Sequence, residues 1–105
     1  MSAVFLYSMI ACYILYTPQF DKFYIGSTQE GVDSRLEKHN SKLYADAYSS
    51  FTNDWEIFLI LECADYSQAV RIERLIKKMK SRKYITNLQL YPEMKEKLIL
   101  RYLKT

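Results

Sequence analysis

Six side chains in this sequence form a set, at fixed spacings, whose groups could carry acid–base and anion-clamping chemistry. Tyr13 is followed eleven residues later by Tyr24; Arg35 lies eleven beyond that, and His39 four further on. Glu73 and Asn87, fourteen residues apart, complete the set. Arg35 and His39 share one face if their segment is helical. Hydrolysis of a phosphodiester needs these functions: an activated water, a clamp on the nonbridging oxygens and help for the leaving oxygen. The planar guanidinium of Arg35 suits the phosphate. His39, the chain's single histidine, titrates near 6.5 when unperturbed and needs no help to act as a base. A tyrosine titrates near 10, so ionising one at pH 7 costs about 4 kcal/mol, which nearby positive charge offsets. Tyr24 or Tyr13, assisted by His39, is the expected base.

Other chemistries are excluded by composition. The chain has no Ser-His-Asp set, no glycine-rich phosphate loop and no pair of histidines to hold a metal. Its two cysteines, Cys12 and Cys63, form no CxxC and read as buried thiols in a reducing compartment. Plainer roles are open to each residue of the set: Glu73 can pair with Lys77 at i,i+4, Tyr13 and Tyr24 can pack across two strands, and Arg35 can be a solvated helix charge.

Charge is unevenly placed. Arg71, Arg74, Lys77, Lys78, Lys80, Arg82 and Lys83 face one acid, Glu73, so this segment carries +6 while the rest of the chain carries −3, against a total of +3. Such a concentration is expected of a phosphate-facing surface.

The elements that must position these groups follow from pattern. With 105 residues, half of them hydrophobic, 16 aromatics and only two glycines and two prolines, the chain is one compact domain. Residues 11–17 are β-branched, aromatic and apolar and end at Pro18; residues 23–28 form a second strand-like run, so the two predict an antiparallel hairpin. Gly26 marks a bulge or a close approach to the backbone. Residues 32–42 read as a helix capped by Asp33 or Ser34, with Ser34 and Glu37 spaced as a capping box. Residues 44–53 lack a period and predict a mobile loop. Residues 55–63 are a third strand, apolar enough to be central. Asp65 or Ser67 caps a strong helix with Ala69, Ile72, Ile76 and Met79 as its core stripe. A connector through Asn87 leads to a last helix, 93–103, with Pro92 in its first turn. The expected order is β-β-α-β-α-α, an α+β layer of helices against a small, three-stranded, mainly antiparallel sheet. No cation precedes the uncharged stretch 3–17, and it is too short and polar to span a bilayer, so a cytoplasmic protein without signal peptide is expected.

Tyr13 in Ala11-Cys12-Tyr13, the triplet Tyr24-Ile25-Gly26, Arg35, His39, Glu73 and Asn87, in this order and on these elements, resemble the GIY-YIG nuclease superfamily. The chain is most similar to its small single-domain members and to the N-terminal nuclease domain of the bacterial excinuclease. The resemblance covers about residues 9–90, with 91–105 as a C-terminal helix. It implies divalent-metal-dependent hydrolysis of DNA, with Tyr13 and Tyr24 facing each other from the hairpin and Glu73 as the metal ligand. It also implies that Asn87 supports the site. Two positions depart from the family: only the tyrosine of the first motif is kept, and Ser27 stands where some relatives place a lysine.

One matched carboxylate suggests a single Mg²⁺ or Mn²⁺, which keeps waters and takes substrate phosphate oxygens as ligands. DNA is then the expected partner, met by the basic segment, in repair or recombination. Specificity would come from DNA structure or a partner protein. A non-catalytic nucleic-acid-binding module of the same fold is the alternative; a protein-interaction domain built on the tyrosines is a third reading. The sequence leaves the oligomeric state open.

Overall fold

A computed structural model describes residues 9–41 and 48–103. Strands β1 (Ala11–Thr17) and β2 (Lys22–Thr28) form the expected antiparallel hairpin around a loop of residues 18–21. Asp21 closes that loop with a left-handed φ of 53° and donates its backbone N–H to the Thr17 carbonyl at 2.7 Å. Helix α1 (Val32–Asn40), a 3-10 turn (Tyr48–Phe51) and strand β3 (Glu56–Glu62) follow, then helices α2 (Tyr66–Met79), α3 (Arg82–Leu90) and α4 (Pro92–Arg101). The architecture is α+β, with a fully antiparallel three-stranded sheet and four helices among the described residues.

Alternation along β1 builds two cores, because successive side chains of a strand leave by opposite faces. Cys12 and Ile14 join Leu61 of β3, Ala69, Ile72 and Ile76 of α2, Ile85 and Leu88 of α3, and Leu98 of α4. Ala11, Tyr13 and Leu15 join Val32 of α1 and Trp55 on the other face. The sheet is thus a middle layer, with α1 on one face and α2, α3 and α4 on the other. Each fully buried aliphatic side chain contributes roughly 1.5–3 kcal/mol.

The structure corrects four expectations. β1, not β3, is the central strand, since the order is β2-β1-β3. β3 is as apolar as a central strand but leaves Ile57 37% exposed at an edge. A further helix, α3, replaces the connector and carries Asn87 in its interior. It starts because Lys80 turns left-handed (φ 47°) to end α2, and the Ser81 side chain then accepts from the Tyr84 N–H. Helix α1 has Gly31 as its N-cap, with φ 103°, and no side-chain cap. Ser34 instead donates to Glu30, so the capping box does not form. It ends at Asn40, short of the expected residue 42. Finally, Met79 is 45% exposed rather than part of the α2 stripe.

Other features agree. Asp65 caps α2 by accepting from the Gln68 N–H at 2.8 Å, and Pro92 opens α4. Gln68 docks α4 by donating to the Ile99 carbonyl at 2.8 Å. Both cysteines are free and buried. Of the segment expected to be a loop, residues 44–47 lie outside the described residues, and residues 48–51 form the 3-10 turn. The uncharged N-terminal stretch before residue 9 also lies outside them. No helix among the described residues is long and apolar enough to cross a membrane.

Candidate active site

Tyr13 and Gly26 are directly paired across the hairpin. A Cβ built on Gly26 would stand 2.6 Å from the Tyr13 hydroxyl oxygen, closer than any real side chain tolerates. Gly26 therefore serves the close approach that its rarity suggested, and what approaches is the Tyr13 ring. Leu15, one step along the same face, pairs with Tyr24, so both tyrosines rise from the α1 face. Their ring centroids lie 6.3 Å apart. Tyr13 is fully buried and Tyr24 half-buried.

Helix α1 sets His39 between them. The Tyr13 hydroxyl lies 3.2 Å from His39 Nε2, and the Tyr24 and His39 rings are 4.6 Å apart at a tilt of 58°. His39 is 1% exposed. Its Nδ1 meets the Ser49 hydroxyl at 2.5 Å. Burial first, and the nearby Arg35 charge second, pull the imidazole down to about 4, so His39 is neutral at physiological pH. The result is a buried chain of three polar groups, Tyr13–His39–Ser49.

That chain is held from behind. Trp55 donates its indole N–H to the Ser49 carbonyl at 2.9 Å, fixing the 3-10 turn. Asn40, next to His39, clamps the Trp55 backbone at both ends: its amide donates to the carbonyl at 2.9 Å and its oxygen accepts from the N–H at 2.7 Å. Arg35, one turn before His39, bonds Glu30 at 3.4 Å. Glu30 is also held by Lys38 at 3.0 Å.

Glu73 approaches from the opposite face. Cys12 and Ser27 are paired in the hairpin and, by strand alternation, point toward α2. The Ser27 hydroxyl donates to Glu73 Oε1. Lys77 donates to Oε2 at 2.6 Å, which is the i,i+4 pair the sequence allowed. Among the described residues these two groups are the carboxylate's hydrogen-bond partners. Beneath them, burial and then the Glu73 charge push the Cys12 thiol well up, so it is inert.

The structure thus gathers Tyr13, Tyr24 and His39 into one cluster, with Arg35 adjoining it. It brings Glu73 to Ser27, the residue after Gly26, and places Asn87 on α3. No group of three or more His, Cys, Asp or Glu side chains is placed to enclose a metal among the described residues. A hard cation with one carboxylate, several waters and substrate oxygens needs no such enclosure, so Glu73 fits a Mg²⁺-like ion but not a closed zinc-type cage.

The basic segment is not one surface. At about 100° per residue, Arg74, Lys78 and Arg71 lie on the outer side of α2, and Lys77 lies beside Glu73. Arg71 stacks on Tyr102, 5.0 Å from the ring centre. Arg82 crosses to the hairpin and donates to the Asp21 carbonyl at 2.9 Å and carboxylate at 2.7 Å. Lys83 is exposed on α3.

Ser49, Asn40 and Trp55 were not singled out by spacing. Ser49 lies in a polar segment without periodicity, so nothing local marks it. Among known proteins, the family model described as the GIY-YIG catalytic domain matches residues 9–85. No curated protein and no solved structure matches, so the likeness is to the family and not to the excinuclease domain in particular.

Proposed function

The chain belongs to the GIY-YIG catalytic-domain family, and from that premise we propose that it is a DNA endonuclease that hydrolyses phosphodiester bonds with one Mg²⁺ or Mn²⁺ held at Glu73. The observation that carries this reading is the buried Tyr13–His39–Ser49 chain beside Tyr24 and Arg35. A packing role alone does not need a buried neutral imidazole bonded at both nitrogens, because each polar group placed in a core must be matched to avoid a penalty.

Bound at Glu73, the ion would lower the pKa of a coordinated water and neutralise charge on the scissile phosphate. The chain's own groups do the rest. Arg35 holds a nonbridging oxygen and stabilises the charge that grows there. Tyr24, half-buried where Tyr13 is fully enclosed, accepts the proton of the attacking water. Tyr13 and His39 orient it and shift charge through their hydrogen bond. Asn87 supports the site, and the cations flanking Glu73 hold the DNA backbone. A role in DNA repair or recombination, with preference for DNA structure rather than base sequence, suits a domain of this size in a cytoplasmic setting; a partner protein supplies further specificity.

Nicking of supercoiled plasmid tests this. The wild-type protein should nick with Mg²⁺ or Mn²⁺ and not with EDTA, and Glu73→Gln should lose that activity. Metal-independent nicking, or equal nicking by the variant, overturns the assignment. Salt-sensitive binding with no cleavage would point to a binding module of the same fold.

A further inference from the structure

We propose that the outer edge of β2 is a track for the backbone of one DNA strand, running from Lys22 to Glu73 and built from cations of three separate segments. This rests on the nuclease reading and specifies where its substrate lies. A cleft of about 340 Å³ opens between the hairpin and the α2–α3 elbow. Lys22 comes to it from β2, Lys77 and Lys80 from α2 and its C-terminal turn, and Arg82 from α3, over a floor that includes Ile25 and Ile76. Among the described residues, no carboxylate lines it. Lys22 belongs to no basic run of the sequence, so only the fold assigns it to this surface.

Three features make the cleft a built surface rather than a scatter of lysines. The left-handed turn at Lys80 swings α3 back toward the hairpin, so the two helices present cations to one groove. Arg82 is fixed in place by its two bonds to Asp21 and by stacking 5.0 Å from the Phe23 ring centre. Among the described residues, neither Lys22 nor Lys80 is in an ion pair, so both charges are available to phosphate. At its other end the groove reaches Lys77, which touches Glu73.

The dimensions suit one strand of a duplex. Five residues separate Lys22 from Ser27, where Glu73 is bonded, and at about 3.3 Å per residue this spans about 16 Å. One strand of B-form DNA advances about 3.4 Å per nucleotide, so the track covers about five nucleotides. The outer cations Arg74 and Lys78 lie off this line.

Binding of a short DNA duplex over a salt series, in EDTA to prevent cleavage, tests the track. Lys22→Gln with Lys80→Asn is compared with Arg74→Gln plus Lys78→Gln; asparagine is chosen at position 80 because it accepts the left-handed backbone. Thermal melts establish that both pairs remain folded. The expected result is that the cleft pair lowers the slope of log affinity against log salt by about 1.8, or 0.9 per lost phosphate contact, and that the outer pair lowers it by less than half as much. An equal or larger change from the outer pair overturns the track while leaving nuclease activity standing. A wild-type protein that neither binds nor cuts DNA overturns the nuclease reading itself.

Discussion

The Tyr13 hydroxyl lies where a side chain on Gly26 would begin, 2.6 Å from the position of its Cβ. The two residues are cross-strand partners, so the space is fixed by hairpin register and cannot be relieved by a rotamer of residue 26. Gly26→Ala should force the buried Tyr13 ring aside and stretch its bond to His39. Overpacking of this kind costs about 1–3 kcal/mol. Urea denaturation measures that loss, and nicking should fall more than the loss of folded protein explains. A variant as stable and active as wild type would refute the close approach.

Stability should depend on pH through His39. Its folded pKa, about 4, lies below the ordinary 6.5. The unfolded chain therefore binds more protons between these values, and the neutral folded form is favoured above about 6.5. Stability from this group is complete at pH 7, declines as pH falls below 6.5, and stops declining near 4. The loss is about 2 kcal/mol after allowing for solvent screening. Comparing wild type with His39→Gln at pH 7 and 4.5 isolates it from the carboxylates, and parallel losses in both proteins would count against it.

Ser49 should fix the tautomer of His39. A phenol is a stronger acid than an alcohol, so Tyr13 donates to Nε2 and the Nδ1–H donates to Ser49. Because the chain has one histidine, nitrogen NMR reads this state directly. Wild type should show a single Nδ1–H tautomer, and Ser49→Ala a mixture, with about 1–3 kcal/mol lost for the unmatched buried group. An unchanged tautomer in the variant would remove Ser49 from the relay.

Lys77 and a cation compete for the same Glu73 carboxylate. Lys77→Gln should therefore tighten Mn²⁺ binding, measured by titration without DNA. The pair is half-exposed on the lysine side, and such pairs are worth up to about 1 kcal/mol, or roughly a fivefold gain in affinity. Weaker Mn²⁺ binding in this variant would argue against metal at Glu73.

Much of the hairpin and the Tyr–His cluster was legible, because strand alternation and the i,i+4 spacing of Arg35 and His39 are local signals. The position of β1 was not. Both β1 and β3 are apolar runs, and which of them is flanked on both sides depends on pairing between distant segments. The elbow at Lys80 was hidden for another reason: a lysine in left-handed conformation carries no glycine to announce it, although Ser81 before a Tyr84, Ile85, Leu88 stripe is a readable start. Ser49 gave no local sign, since its role exists only once Trp55 folds the 3-10 turn onto His39.

Neighbouring residues of one hairpin serve opposite sides of the sheet: Tyr13 and Gly26 face α1, while Cys12 and Ser27 face α2. Exchange of side chains can therefore be absorbed singly, but a change in chain length cannot. One residue gained or lost within β1 or β2 between the loop and Gly26 would invert which side each group serves. It would turn the phenols toward α2 and the Glu73 anchor toward α1. Natural variation of this hairpin should accordingly be written in substitutions, with insertions and deletions confined to the loop at residues 18–21.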